Sequence, residues 1–107
     1  IQRAASPAVT LHGEWLFDPT ARTLTHAAHA AVALTEKETA LLQALLAAPA
    51  IGIARETLLT DLWGIKSEAD THTLETHLYR LRAKLNGLSP VPAELVNENG
   101  FCRAVVA

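Results

Sequence analysis

The 107-residue chain contains one cysteine, no methionine and few aromatic residues: two Trp, two Phe and one Tyr. A lone Cys102 excludes an internal disulfide and cannot supply a metal site by itself. Long apolar runs are also missing. None approaches the roughly 18–20 residues needed to cross a bilayer, and the opening IQRAASPAV lacks an apolar signal core, so a soluble, unexported, cytoplasmic chain with no membrane partner is expected. Positive charge is scarce, with 9 Lys+Arg against 11 Asp+Glu and a net charge of −2. This excludes capture of a polyanion by bulk charge, so any nucleic-acid site must be local. There is no Gly-rich phosphate loop and no serine in a recognisable elbow, and Cys102 beside Phe101 has no neighbouring base. Neither an enzyme nor a cofactor is expected. His26-x-x-His29 lacks further donors at suitable spacing, and no metal site is expected either.

Half of the residues are apolar, enough for one core in one domain. Charge is uneven along the chain: residues 1–70 hold five basic and eight acidic residues, residues 71–107 four and three, a change from −3 to +1. From Val9 to Leu34, short apolar stretches separated by turn formers predict three or four short antiparallel strands, with Trp15 and Phe17 on one face. Thr35-Glu36-Lys37-Glu38 is a capping-box signature that starts a helix, buried through Leu41, Leu42, Leu45 and Leu46 and ended by Pro49. Ile51-Gly52-Ile53 reads as an extended link. Arg55 to Trp63 is a second amphipathic helix stopped by Gly64, although Ala54 is a poor cap. After a connector, Asp70 or Thr71 caps a third helix running to Asn86. Ser89-Pro90-Val91-Pro92 breaks regularity, and Glu94–Val96 and Phe101–Val106 form a hairpin around Asn97-Glu98-Asn99-Gly100.

On a helical wheel of residues 70–86, Leu74, Leu78, Leu81 and Leu85 fall in a stripe about 60° wide. The opposite face collects His72, Thr73, Thr76, Tyr79, Arg80 and Ala83, flanked by His77 and Lys84 on one side and Glu75 and Arg82 on the other. Such a face suits the major groove of double-stranded DNA. Arg80 is the candidate for bidentate guanine contact, and Thr73, Thr76 and Tyr79 reach a base, a thymine methyl or a phosphate. Arg82, Lys84, His72 and His77 suit phosphate contacts that set position. A short helix before this helix and a hairpin after it give the order of a winged helix-turn-helix.

The runs LTEKETALLQALL, ARETLLTDLWG and THTLETHLYRLRAKL, with the ending NGF, resemble the C-terminal effector domain of OmpR/PhoB-type response regulators. The resemblance spans Val9 to Val106. It is most specific at Leu34-Thr35-x-x-Glu38, Arg55-Glu56-x-Leu58, Leu62-Trp63-Gly64 and Arg80-Leu81-Arg82-x-Lys84-Leu85. It implies an α+β winged helix-turn-helix: an N-terminal antiparallel four-stranded sheet, three helices and a C-terminal β-hairpin wing. An arm at 1–8 would precede the domain at 9–107. The resemblance also implies binding to direct-repeat DNA as tandem dimers, with the third helix in the major groove and the wing in the minor groove. By that similarity His72, His77, Tyr79, Arg80 and Arg82 stand at DNA-contacting positions, and the 64–70 loop corresponds to one that touches RNA polymerase in some members. The start at Ile1 fits a piece of a longer protein, with a receiver domain expected before it.

Departures from the family pattern concentrate in the wing. Relatives carry Val-Arg-Gly before a final Gly-Tyr; here Val96-Asn97-Glu98 precedes Asn99-Gly100-Phe101. Glu98 would repel phosphate, leaving Arg103 on the second strand as the replacement. Tyr79 and His72 stand where many relatives carry Arg, which predicts a smaller salt-dependent contribution to binding. These departures and the acidic total frame an alternative reading, a winged-helix protein-interaction module with weak or no DNA binding.

Overall fold

The computed structural model describes residues 8–48, 50–64 and 71–106, with backbone alone for Trp63, Thr71 and His72. The chain opens with a four-stranded antiparallel sheet in the order β1-β2-β3-β4, formed by Val9–Thr10, Leu16–Asp18, Thr23–His26 and His29–Ala33. Register places Val9, Phe17, Leu24 and Val32 in one row across the sheet. Phe17 and Leu24 are fully buried on its inner face, as is Trp15 just ahead of β2. This is the alternation expected of a sheet with one face on a core. Between β1 and β2 a short 3-10 turn, His12–Glu14, holds Gly13 at φ 72°, and a Cβ there would lie 2.0 Å from Pro90 Cγ. The Pro-rich connector is thereby stitched to this sheet: the Trp15 indole N–H donates to the Pro90 carbonyl (2.8 Å) and the His12 amide to that of Pro92 (2.9 Å).

Helix α1, Glu36–Ala47, begins with the expected capping box. The Glu38 amide donates to Thr35 Oγ1 (3.1 Å), and the Thr35 amide donates to Glu38 Oε1 (2.9 Å). Pro49, the expected stop, lies outside the described residues. Helix α2, Arg55–Trp63, ends at Gly64 in the left-handed region (φ 71°), and Lys37 Nζ donates to the Leu62 carbonyl in its last turn (2.6 Å). Helix α3, Thr71–Asn86, buries Leu74, Leu78, Leu81 and Leu85 against α1 and α2. Asp70 lies outside the described residues.

The expected extended link is a true strand. β5, Ile53–Ala54, pairs with the final strand, so the second sheet has three strands in the order β5-β7-β6. This accounts for the poor cap at Ala54. The Arg55 amide donates instead to the carbonyl of Gly100 (3.1 Å), so strand pairing rather than a capping side chain sets the start of α2. The hairpin is longer and tighter than its sequence suggests. β6 is Glu94–Glu98, β7 is Phe101–Val105, and only Asn99 (φ 56°) and Gly100 (φ 80°) form the turn, both left-handed as a type I′ connection requires. Asn97 and Glu98 pair with Cys102 and Phe101 rather than lying in a loop.

Candidate nucleic-acid interface

The orientation of α3 is set from three directions. Its leucine stripe seats it on the core. On one flank Lys84 Nζ donates to Glu38 Oε1 (2.7 Å) and to the Ala33 carbonyl (3.1 Å), tying the helix to the start of α1 and the end of β4. On the other flank Glu75 forms an ion pair with Arg55 at the start of α2, and Arg82 Nη2 donates to the Leu95 carbonyl of β6 (3.3 Å). The face left outward is defined by Tyr79, 70% exposed, with Arg80 and Ala83 also exposed and Thr73, Thr76 and His77 half-buried beside them. Among the described residues neither Tyr79 nor Arg80 has a hydrogen-bond or ion-pair partner. Their donors are available to a ligand. His77 Nδ1 lies 2.9 Å from the carbonyl of Thr73, one turn back on the helix.

Of the residues singled out from sequence, Thr73, Thr76, His77, Tyr79 and Arg80 share one continuous region of α3. The His72 side chain lies outside the described residues. Lys84 and Arg82 point to opposite flanks and are engaged by protein acceptors, whereas the Arg80 guanidinium has none among the described residues. Arg103 is on β7, where its Nη2 lies 3.7 Å from Glu98 Oε1.

Glu38 combines burial with charge. It is 5% exposed, and burial opposes its ionisation. The hydrogen bond from Lys84, those from Thr35 and the positive charge of Lys84 outweigh that penalty and hold the carboxyl below its ordinary pKa. Sequence patterning marked Glu38 as a helix cap without its link to Lys84. It also left the partner of Arg55 unassigned, although a cation in the first turn of a helix is disfavoured by the macrodipole and signals a compensating acid. Here that acid is Glu75. Cys102 is buried, and burial pushes its thiol up despite the opposing charges of Arg55 and Arg82, so it is a poor nucleophile. His26 and His29 pack against Trp15, with the His29 ring stacked on the indole at 5.4 Å between centroids. Among the described residues no group of three or more His, Cys, Asp or Glu is placed to hold a metal ion, and no helix is long and apolar enough to cross a membrane.

A sheet, three helices and a hairpin packed along the third helix define a winged helix-turn-helix fold. The DNA-binding domain of Escherichia coli CadC has the same fold, with a TM-score of 0.75 over 97% of this chain and 96% of that one, at 19% sequence identity. Residues 29–102 match the family model described as transcriptional regulatory protein, C terminal. The chain belongs to this family, as an OmpR/PhoB-type effector domain of a transcriptional regulator. Its relatives include the transcriptional regulatory proteins ResD of Bacillus subtilis (42% identity), SrrA of Staphylococcus aureus (40%) and HprR of Escherichia coli (35%), each matched over 65 residues, or 61% of this chain. The match spans 27% of ResD and SrrA and 28% of HprR.

Proposed function

We propose that this domain binds double-stranded DNA sequence-specifically as the output domain of a transcriptional regulator, with α3 in the major groove. The observation that carries the reading is the outward face of α3: among the described residues the Arg80 and Tyr79 side chains have no partner, on a helix whose rotation is pinned by the leucine stripe and by Lys84, Arg82 and Glu75. A groove about 12 Å wide admits such a helix, and Ala83 with Thr73 and Thr76 lets the backbone approach base edges. Arg80 is assigned bidentate contact with guanine O6 and N7. Thr73, Thr76 and Tyr79 are assigned adjacent base or phosphate contacts, and His72 and His77 phosphate contacts. Arg82 and Lys84 are assigned the positioning of α3. Family membership and similarity to the transcriptional regulatory proteins ResD, SrrA and HprR and to the CadC DNA-binding domain support this reading.

For the whole protein, the same resemblance supports a response regulator that acts in the cytoplasm, carries a receiver domain before this one, dimerises on direct repeats and touches RNA polymerase through the 64–70 loop. Residues 65–70 of that loop lie outside the described residues. Selection of bound sequences from a random duplex pool tests the central claim. An enriched motif is expected, with affinity falling as salt rises and falling again in Arg80→Ala by about 5- to 150-fold, the equivalent of a lost bidentate base contact. Failure to enrich any sequence at low salt would reject DNA recognition.

A further inference from the structure

The hairpin carries charge that opposes its place beside α3. Its outer face is formed by Glu94, Val96 and Glu98 on β6 and by Phe101, Arg103 and Val105 on β7, since Val96 pairs with Arg103 and Glu98 with Phe101. Two acids and one base give that face a net charge of −1. Arg103 is the only basic residue between positions 94 and 106, and Glu98 lies diagonally across from it at 3.7 Å. The acid also stands further out. Its side chain is 68% exposed against 31% for Arg103, and it is the last residue before the Asn99-Gly100 turn. A phosphate backbone approaching the hairpin tip meets the carboxylate first. The other cation on this side, Arg82, is turned inward to the carbonyl of Leu95.

The hairpin is tied down beside α3. Its β6 packs on that helix, and its turn is bonded to Arg55, whose side chain meets Glu75 in the first half of α3. DNA seated along α3 is therefore brought close to Glu98.

Resting on the reading that α3 binds duplex DNA, we infer that Glu98 is a specificity-determining residue that withholds the hairpin from the phosphate backbone. It repels phosphate oxygens at the tip and offers Arg103 a competing carboxylate 3.7 Å away. Phosphate contacts supply most of the affinity for any sequence, whereas base edges supply discrimination. A hairpin that contributes no phosphate contact leaves recognition to α3 and lowers binding to random DNA. An ion pair as exposed as Glu98–Arg103 is individually weak, so one substitution suffices to release the arginine.

The test is a salt titration of the 107-residue chain against a pool of random duplexes about 30 base pairs long, followed by fluorescence anisotropy between about 50 and 200 mM salt. Glu98→Gln keeps shape and removes charge. It is expected to bind the pool roughly three- to tenfold more tightly at the low-salt end, with a log-log salt slope steeper by about 0.9, the value for one added phosphate contact. That gain should shrink about 3.5-fold across the fourfold salt range. Adding Arg103→Gln to Glu98→Gln should restore the original slope, whereas Arg103→Gln alone should leave it nearly unchanged. An unchanged slope in Glu98→Gln overturns the inference. So does a slope flattened by about 0.9 in Arg103→Gln alone, because Arg103 would then already sit on phosphate with Glu98 present. If the original chain binds in an Arg80-dependent way and Glu98→Gln matches it, only the role of Glu98 falls. If neither chain binds at low salt, the DNA-binding reading falls with it. Both positions are on the outer hairpin face, and thermal melts of all variants check that the fold is retained.

Discussion

Removing the ammonium of Lys84 should expose how much of the fold hangs on one carboxylate. Glu38 Oε1 accepts from both the Thr35 amide and Lys84 Nζ, and the Glu38 side chain is only 7% exposed. In Lys84→Ala the carboxylate keeps its cap but loses a charged hydrogen bond, which costs about 1.5–3 kcal/mol. Glu38→Ala loses that bond and one half of the capping box, for a total of about 2–4 kcal/mol. For a domain of this size each kcal/mol lowers Tm by roughly 4–8 °C, so losses on the order of 10–20 °C are expected.

The pH dependence separates this pair from generic surface charge. Glu38 has a depressed folded-state pKa, so its stabilisation is present above the unfolded carboxylate value and is lost as pH falls through the folded value. Without Lys84, only the two Thr35 hydrogen bonds oppose burial, so the folded-state pKa moves up and less stability is lost on acidification. The stability difference between the two chains should therefore be largest near neutrality and shrink below the carboxylate range. Urea melts at several pH values read it directly. A difference that stays constant from neutral to acid pH would refute the reasoning, as would a change in Tm too small to resolve. DNA binding supplies a second check. If Lys84 positions α3 rather than touching phosphate, the folded Lys84→Ala chain should keep the original salt slope.

Three further outcomes follow from particular contacts. Gly52→Ala should destabilise by more than about 1 kcal/mol, because Gly52 has φ 103° and a Cβ there would lie 2.8 Å from the Cys102 carbonyl oxygen; a denaturation midpoint equal to that of the original chain would contradict this. Cys102 is buried with its thiol pushed up, so it should react with a thiol reagent slowly in native buffer and at the rate of a free thiol in denaturant; equal rates would show that β7 opens freely. Replacing Glu75 with Gln should cost less than about 1 kcal/mol, since its side chain is 50% exposed and solvent screens the pair. A double-mutant cycle with Arg55→Ala measures that coupling.

Elements with strong local periodicity are legible in the sequence itself. The leucine stripe of α3, the Thr35–Glu38 box, the glycine after α2 and the Trp15–Phe17 alternation all express rules acting within about four residues. What escaped sequence reading depends on distant pairing. Ile53–Ala54 is too short to signal a strand, and only Phe101 and Cys102, far along the chain, make it one. Asn97 favours turns and Glu98 is a weak strand former in isolation, yet their register with β7 extends the strand and narrows the turn to Asn99-Gly100. The candidate interface divides in the same way. A wheel separates the outward face of α3 from its leucine face, but it cannot show that Lys84 and Arg82 are held by acceptors 46 and 13 residues away while Arg80 is not.

The three-stranded sheet also has a mechanical consequence. Because β5 runs directly into α2 and is bonded to β7, a force or thermal fluctuation at the hairpin is transmitted to the base of the helix pair rather than spent in a loose flap. The amides that join β5 to β7 should therefore open to hydrogen exchange together with the start of α2, as one cooperative unit. Sequence change in the hairpin is least constrained at the outward side chains of β6 and β7, restricted at the left-handed Asn99-Gly100 turn, and coupled to residues 52–55 at its inner strand. Outer-face side chains can therefore change without loosening the start of α2.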